Sequence, residues 1–327
     1  MRHFTRRAAA GLIAGLGAAA LLAPRRARAA TWPQRPVQIV VPFGAGGGTD
    51  MTARLLARFL DRHTGGKPVV VVNRAGAGGE VGMAAVAEAA PDGHTLCILN
   101  TPNVLTIPIE RRARFRLDSF TLIANLVDDP GTLSVHGSSP IRSIADLIAA
   151  AKARPGALTY GTAGVGSAGH IAMLLVGRAA GIEGTHVPFN GSAAVANALL
   201  GRQIDVATAN LGEALGFARG SSDWRVLGVM AHARMDAAPE VPTFAEAGIP
   251  VQTGSLRGLG APRGTPPAVV AAITRALDAV MADPEYRTAM RDASQAIRYV
   301  KGAEYEALLR GMEGELRSLW AATPWNR

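Results

Sequence analysis

Twice this chain passes from an apolar strand, through a loop of glycine, alanine, serine and threonine, straight into an amphipathic helix. The first passage is Val37-Gln38-Ile39-Val40-Val41-Pro42, then Phe43-Gly44-Ala45-Gly46-Gly47-Gly48-Thr49-Asp50, with a helix from about Met51. The second is Leu158-Thr159-Tyr160, then Gly161-Thr162-Ala163-Gly164-Val165-Gly166-Ser167-Ala168-Gly169-His170, with a helix from about Ile171. A loop without bulky side chains lets backbone N–H groups at a helix start reach an anion, where unpaired donors and the positive end of the helix dipole favour negative charge. Two such cradles point to a small anion held between two lobes. Asp50 reads as a cap that orders the first loop, since a carboxylate facing an anionic ligand would repel it. His170 reads as packing against the second loop from the first helical turn.

The remaining pattern is that of an α/β protein. Candidate strands and helices alternate through Val37–Pro42, Met51–Asp61, Pro68–Val72, Gly82–Ala89 and Thr95–Leu99, and again from Leu133 to Thr208. That rhythm predicts βαβ units on a mostly parallel sheet. Short links near Asp128–Gly131 and around Pro239–Gly254 are the expected crossings between lobes. After the Pro/Gly-rich stretch 239–267 the tail reads as helical, with Thr265 before Pro266-Pro267 as a cap and first-turn pair. Asn100-Thr101, Asn190 and Asn210 each follow the C-terminal end of a candidate strand, where open parallel sheets bind ligands.

Residues 1–29 read as a cleaved export signal: Arg2, Arg6 and Arg7, an apolar run from Ala8 to Ala23, then Ala27-Arg28-Ala29 as a small-x-small cleavage site. The apolar run is too short to span a bilayer. Arg6-Arg7 suits the twin-arginine route, and Sec export stays open. The formal charge of +9 falls to +3 without this segment, because six of the 34 Lys and Arg and none of the 25 Asp and Glu lie in it. An ordinary surface of that kind gives no reason to expect nucleic acid as a partner. The basic run Arg111–Arg116 reads as a solvated loop. The single cysteine, Cys97, cannot form an internal disulfide and reads as a small core residue.

Enzyme readings fail on spacing. Ser167 and His170 evoke a hydrolase, but the nucleophile elbow needs glycine where Val165 stands. Gly164-Val165-Gly166-Ser167-Ala168-Gly169 is a literal G-x-G-x-x-G, so an exported NAD(P)-dependent oxidoreductase is the alternative. Its acidic partner belongs at the end of the next strand, and Glu183 precedes that strand. The histidines lack metal-ligand spacing, so neither metal nor cofactor is expected.

Several segments carry a resemblance. They are Trp32-Pro33-x-x-Pro36, Val40 to Asp50, Val71-Val72-Asn73-Arg74-Ala75-Gly76-Ala77-Gly78-Gly79, Ala90-Pro91-Asp92-Gly93-His94-Thr95-Leu96, Tyr160 to His170, His186-Val187-Pro188-Phe189-Asn190-Gly191, Val241-Pro242-Thr243-x-Ala245-Glu246-Ala247-Gly248 and Ala261-Pro262-x-Gly264-Thr265-Pro266. In order, and over nearly the whole mature chain, they resemble the tripartite tricarboxylate transporter substrate-binding proteins, or Bug receptors. The resemblance implies a type II periplasmic binding protein fold, α/β, with two lobes closing on one carboxylate. Residues 30–129 and 250–327 would form lobe 1, and residues 130–249 lobe 2. It implies a soluble, monomeric, non-enzymatic periplasmic receptor that passes a small organic carboxylate to membrane transporter subunits.

The implied ligand contacts are Phe43, Gly44, Ala45, Gly46, Gly47, Gly48, Thr49 and Asp50 in the first loop, and Thr162, Ala163, Gly164, Val165, Gly166, Ser167 and His170 in the second. Asn100, Thr101, Asn190 and Asn210 complete the set. Three departures bear on the ligand: Ala75 replaces a usual proline, Glu80 stands where asparagine is common, and Leu256-Arg257 occupies a place where a tryptophan and another bulky residue are frequent. Arg257 either brings a cation to the hinge side of the cleft or points to solvent.

Overall fold

The computed structural model describes residues 32–326, so the export signal lies outside the described residues. The first half of the chain contains β1 (Val37–Val41), α1 (Gly48–Leu60), β2 (Val69–Asn73), α2 (Glu80–Ala87), β3 (Thr95–Asn100), α3 (Asn103–Glu110) and β4 (Phe120–His136). Next come α4 (Ile144–Ala153), β5 (Thr159–Thr162), α5 (Ala168–Ala180), β6 (Thr185–Pro188), α6 (Ser192–Leu200), β7 (Val206–Asn210), α7 (Leu211–Gly220) and β8 (Trp224–Val229). The chain ends with β9 (Gly254–Pro262), α8 (Pro267–Ala282), α9 (Pro284–Asp292), β10 (Ile297–Lys301) and α10 (Gly302–Ala322).

The strands order as β2-β1-β3-β9-β4-β7-β5-β6, with β8 and β10 also pairing with β4. Parallel pairs stand at both ends, β1 with β2 and β3, and β5 with β6 and β7. The centre is antiparallel, because β9 runs against both β3 and β4, and β4 runs against β7. The sheet is therefore mixed where the alternating pattern predicts a mostly parallel one. The predicted link at Asp128–Gly131 lies inside β4, a single 17-residue strand. Its residues 120–130 pair with β9, and its residues 131–135 pair with β7.

Helices cover both faces, which is why the strand interiors are so apolar. Ala53, Leu56, Phe59 and Leu60 of α1 follow helical spacing and pack with Ile273 and Leu277 of α8 and Tyr286 of α9 against Val37, Ile39 and Leu96. Val104 and Ile107 of α3 join Tyr305 and Leu309 of α10 on the opposite face, with Cys97 among them. Cys97 is fully buried and its thiol is pushed up by burial, as befits a core residue. Around β5 and β7, Leu147 of α4 and Val176 of α5 pack with Val206 and Leu133, while Val195 and Leu199 of α6 pack with Ala207 and Ala214. In this arrangement α1, α5, α6 and α7 all begin beside one cavity.

Candidate functional site

The first loop ends at α1 with Gly47 as its N-cap residue, in an extended conformation and without a side-chain cap. Asp50 does order the loop, though from inside the helix. Its Oδ2 accepts from the Gly46 N–H at 3.0 Å and from Arg54 Nε at 2.9 Å, and its Oδ1 accepts from Asn73 Nδ2 at 2.9 Å. Burial raises the Asp50 carboxyl, but these hydrogen bonds from Arg54, Gly46 and Asn73 outweigh burial and hold it below the usual carboxylate range. Thr49 Oγ1 donates to Asn100 Oδ1 at 3.0 Å, tying the helix start to the end of β3.

The second loop uses neutral groups. The Gly164 N–H donates to Thr162 Oγ1 at 3.2 Å, and Thr162 Oγ1 lies 2.7 Å from His186 Nε2. The Gly166 N–H donates to His170 Nδ1 at 3.1 Å, which fits the packing role expected of that histidine. The two imidazoles stack with centroids 3.8 Å apart, and Tyr160 stacks on His186. Burial, with the neighbouring His186, pushes His170 down to about 3; burial pushes His186 down to about 4. Both rings are therefore neutral near pH 7, as an acceptor at Nδ1 requires. Gly166 sits at φ +68°, and its carbonyl accepts from Thr106 Oγ1 of α3 at 2.7 Å.

Between the loops lies a cavity of about 50 Å3. Phe43, Gly44, Gly47, Thr49, Asp50 and Asn100 line it from one side, and Ala163, Ser167 and Asn210 from the other. Ala45, Gly46 and Gly48 complete the turn behind that wall. Thr101 is buried, with its Oγ1 accepting from the Leu256 N–H at 2.8 Å. Thr162, Gly166 and His170 lie beneath the second loop as its support. Gly164, Val165 and Asn190 border a separate hollow beside Arg111. Arg111 itself is paired with Glu80 and Glu110.

A charged set completes the wall, and sequence reasoning missed most of it. Glu213, in the first turn of α7, reaches the start of α1, where its Oε1 accepts from the Gly48 N–H at 2.7 Å and from Ser192 Oγ at 2.7 Å. Its Oε2 accepts from the Asn210 N–H at 3.0 Å. Arg257, on β9, is 1% exposed, which overturns the solvent-facing reading. Its Nη1 donates to Asp129 Oδ2 at 2.7 Å and to Gln295 Oε1 at 3.1 Å, and its Nη2 lies 3.7 Å from Glu213 Oε1. Burial pushes the Asp129 carboxyl up, opposed by Arg257 and reinforced by the charge of Glu213. A Cβ on Gly48 would stand 2.5 Å from Arg257 Nη2 and 2.8 Å from Glu213 Cγ, so this glycine makes room for the ion pair. One signal for Glu213 was available: Asn210-Leu211-Gly212-Glu213 has capping-box spacing, and both bonds of the box are present.

The start of α5 resembles that of α1 in leaving first-turn amides without a protein acceptor, Thr49 and Asp50 in α1, but differs in its side chains. Among the described residues, no protein acceptor takes the N–H of Ala168 or Gly169. Ser167, 3% exposed, lines the cavity with a hydroxyl that has no partner. No acidic residue lies in the first turn of α5. Among the described residues, no cluster of His, Cys, Asp and Glu is placed to hold a metal, and no helix is long and apolar enough to cross a membrane.

Known proteins share this architecture. The structure of the periplasmic binding protein BugD is similar to it with a TM-score of 0.83 and 29% identity, covering 90% of this chain and 99% of that one. A structure of an R. palustris protein with adipate, Rpa4515, gives a TM-score of 0.81 at 32% identity, covering 89% and 96%. A curated relative from Cupriavidus necator, described only as a UPF0065 protein in the gbd 5' region, is 34% identical over 306 residues, or 93% of this chain and 92% of that protein. The model of the tripartite tricarboxylate transporter family receptor matches residues 52–311, a span that includes both the unclaimed α5 terminus and the buried Arg257. With the glycine loops, the mixed sheet and the cleft all in place, the chain belongs to the tripartite tricarboxylate transporter receptor family.

Proposed function

We propose that the mature chain is an exported receptor that captures a small organic carboxylate in this cavity and delivers it to the membrane subunits of a tripartite tricarboxylate transporter. The observation that carries the reading is the α5 terminus, with two unclaimed amides, an unpartnered buried hydroxyl and no acidic residue, all bordering one cavity. A carboxylate there gains charge-assisted hydrogen bonds worth roughly 1.5 to 3 kcal/mol each, and up to ~2 kcal/mol from the helix terminus. Much of that gain offsets dehydration of the ligand. The surplus favours closure of residues 30–129 and 250–327 onto residues 130–249, and the closed form is the one a membrane partner recognises. Adipate in the R. palustris relative supports this ligand chemistry. Nothing in the relatives favours the oxidoreductase, and no step of this function makes or breaks a covalent bond.

The test is thermal. Protein unfolded, dialysed and refolded to remove carried ligand is melted with a panel of small carboxylates, and separately with NAD and NADP. Ligand at one hundred times Kd stabilises the native state by about 2.7 kcal/mol, which raises Tm by a few degrees. A shift with a dinucleotide and none with any carboxylate reverses the reading. Export is tested by replacing Arg6 and Arg7 with lysine. Trapped precursor indicates the twin-arginine route, and normal export indicates Sec.

A further inference from the structure

Four helices begin at the cavity, and the Glu213 carboxylate reaches the start of three of them. At α1, Glu213 takes the Gly48 N–H and Asp50 sits in the first turn. At α6, Glu213 takes the hydroxyl of Ser192, the first residue of the helix. At α7, Glu213 takes the Asn210 N–H while Asp129 Oδ1 accepts from the Gly212 N–H at 3.0 Å. Only α5 has no such carboxylate, and it is there that the buried Ser167 hydroxyl lacks a partner. Arg257, the one buried Lys or Arg among the described residues, lies between Asp129 and Glu213 and cannot neutralise both. Glu213 is fixed by three hydrogen bonds from three segments, so it forms a permanent wall of the cavity.

Resting on the receptor reading above, we infer that Glu213 sets ligand class: the ligand is a small monocarboxylate bearing an N–H donor, ammonium or carboxamide, at its other end. The carboxylate seats on Ser167, Ala168 and Gly169, and the nitrogen donates to Glu213. A second carboxylate at that end would face a buried like charge with no free cation, and burying an unpaired charge is strongly unfavourable. The distinction lies in this chain's own side chains, Glu213 with Arg257 and Asp129; adipate, held by the R. palustris relative, has a carboxylate at both ends.

The experiment is calorimetric titration of the refolded mature protein with three ligands of matched length: succinate, succinamate and 4-aminobutyrate. Succinamate differs from succinate only in an amide for a carboxylate, and 4-aminobutyrate separates an ammonium from an amide donor. The expected result is at least about tenfold tighter binding of one nitrogen ligand than of succinate, a gap of the size seen for close charge pairs at interfaces. In Glu213→Gln, which keeps the shape of the side chain and adds a donor, the preference should shift toward succinate by a similar factor. Wild-type protein that binds succinate as well as both nitrogen ligands overturns the inference even if the variant fails to fold. So does an unchanged preference in a folded Glu213→Gln. If no carboxylate binds, nitrogen-bearing or not, in this series and in the wider panel, the receptor reading itself fails.

Discussion

The two glycine loops share a sequence pattern and differ in what holds them. The first is gripped by carboxylates: Asp50 on the Gly46 N–H and Glu213 on the Gly48 N–H, with Arg257 and Asp129 behind them. The second is held by neutral acceptors, Thr162 Oγ1 and His170 Nδ1, on a stack of two uncharged imidazoles. The difference teaches that a glycine-rich helix start is an anion cradle only while its donors and its field remain unspent. The α1 start already carries Asp50 in its first turn and Glu213 on the Gly48 N–H, whereas the first turn of α5 has no acidic residue.

The comparison breaks most readily at the buried pair. Asp129→Ala leaves Arg257 buried with a reduced partner set, and the expected loss is ~3–5 kcal/mol of folding stability in a urea titration. A loss below ~1 kcal/mol would mean that the first loop does not depend on its charges.

Next in size is Gly166→Val in the second loop. Its Cβ would stand 2.8 Å from Thr106 Oγ1, and a β-branched residue is strained at φ +68°. Overpacking of this kind costs about 1–3 kcal/mol. Carboxylate binding should be lost while circular dichroism retains the α/β spectrum. Full affinity in a folded variant would make the second loop a mere turn.

A pH series sharpens the contrast further. His170 and His186 titrate at about 3 and about 4 in the folded chain, below the ordinary value of 6.5. Between those limits the unfolded chain binds more protons than the native one, so stability is complete above pH 6.5 and declines as pH falls toward 4. The limiting slope is ~1.4 kcal/mol per pH unit for each ring. Between pH 6.5 and 5 the first-loop Asp50 stays ionised, since its own shift is downward. His170→Gln should therefore flatten the decline, and a slope equal to wild type would exclude His170 as its source.

The smallest effect belongs to Arg54→Ala. Its side chain is 53% exposed and pairs with Asp50 across one helical turn. Such pairs contribute ~0.3–0.5 kcal/mol. A loss several times larger would show that Asp50 needs Arg54 to hold the first loop.

Local rules made much of the molecule legible in advance. Short apolar runs and helical periodicity marked β1, β3, α1 and α5, and the two glycine loops announced themselves, because strand pleat and helix start are dictated by neighbouring residues. Strand β9 was hidden in the Pro/Gly-rich stretch: Gly254-Ser255-Leu256-Arg257-Gly258-Leu259-Gly260 carries three glycines in seven residues. The glycines are there because a Cβ on Gly258 would fall on the Tyr305 hydroxyl and one on Gly260 would meet Leu99 Cδ1. Likewise Asp128–Gly131 looks like a link by composition, yet β9 and β7 pair it into one strand.

The sequence by itself determined the repeating strand, glycine loop and helix, the export signal as an expectation, and the family resemblance. Only the tertiary structure decided which loop carboxylates grip. Glu213 reaches Gly48 across 165 residues of sequence, and Arg257 reaches Asp129 across 128. Contacts at that distance leave no periodic trace, because they depend on the order in which strands enter the sheet. A buried charge is tolerated only where the fold brings it a partner, so the meaning of Glu213 and Arg257 appears only once the chain has closed around them.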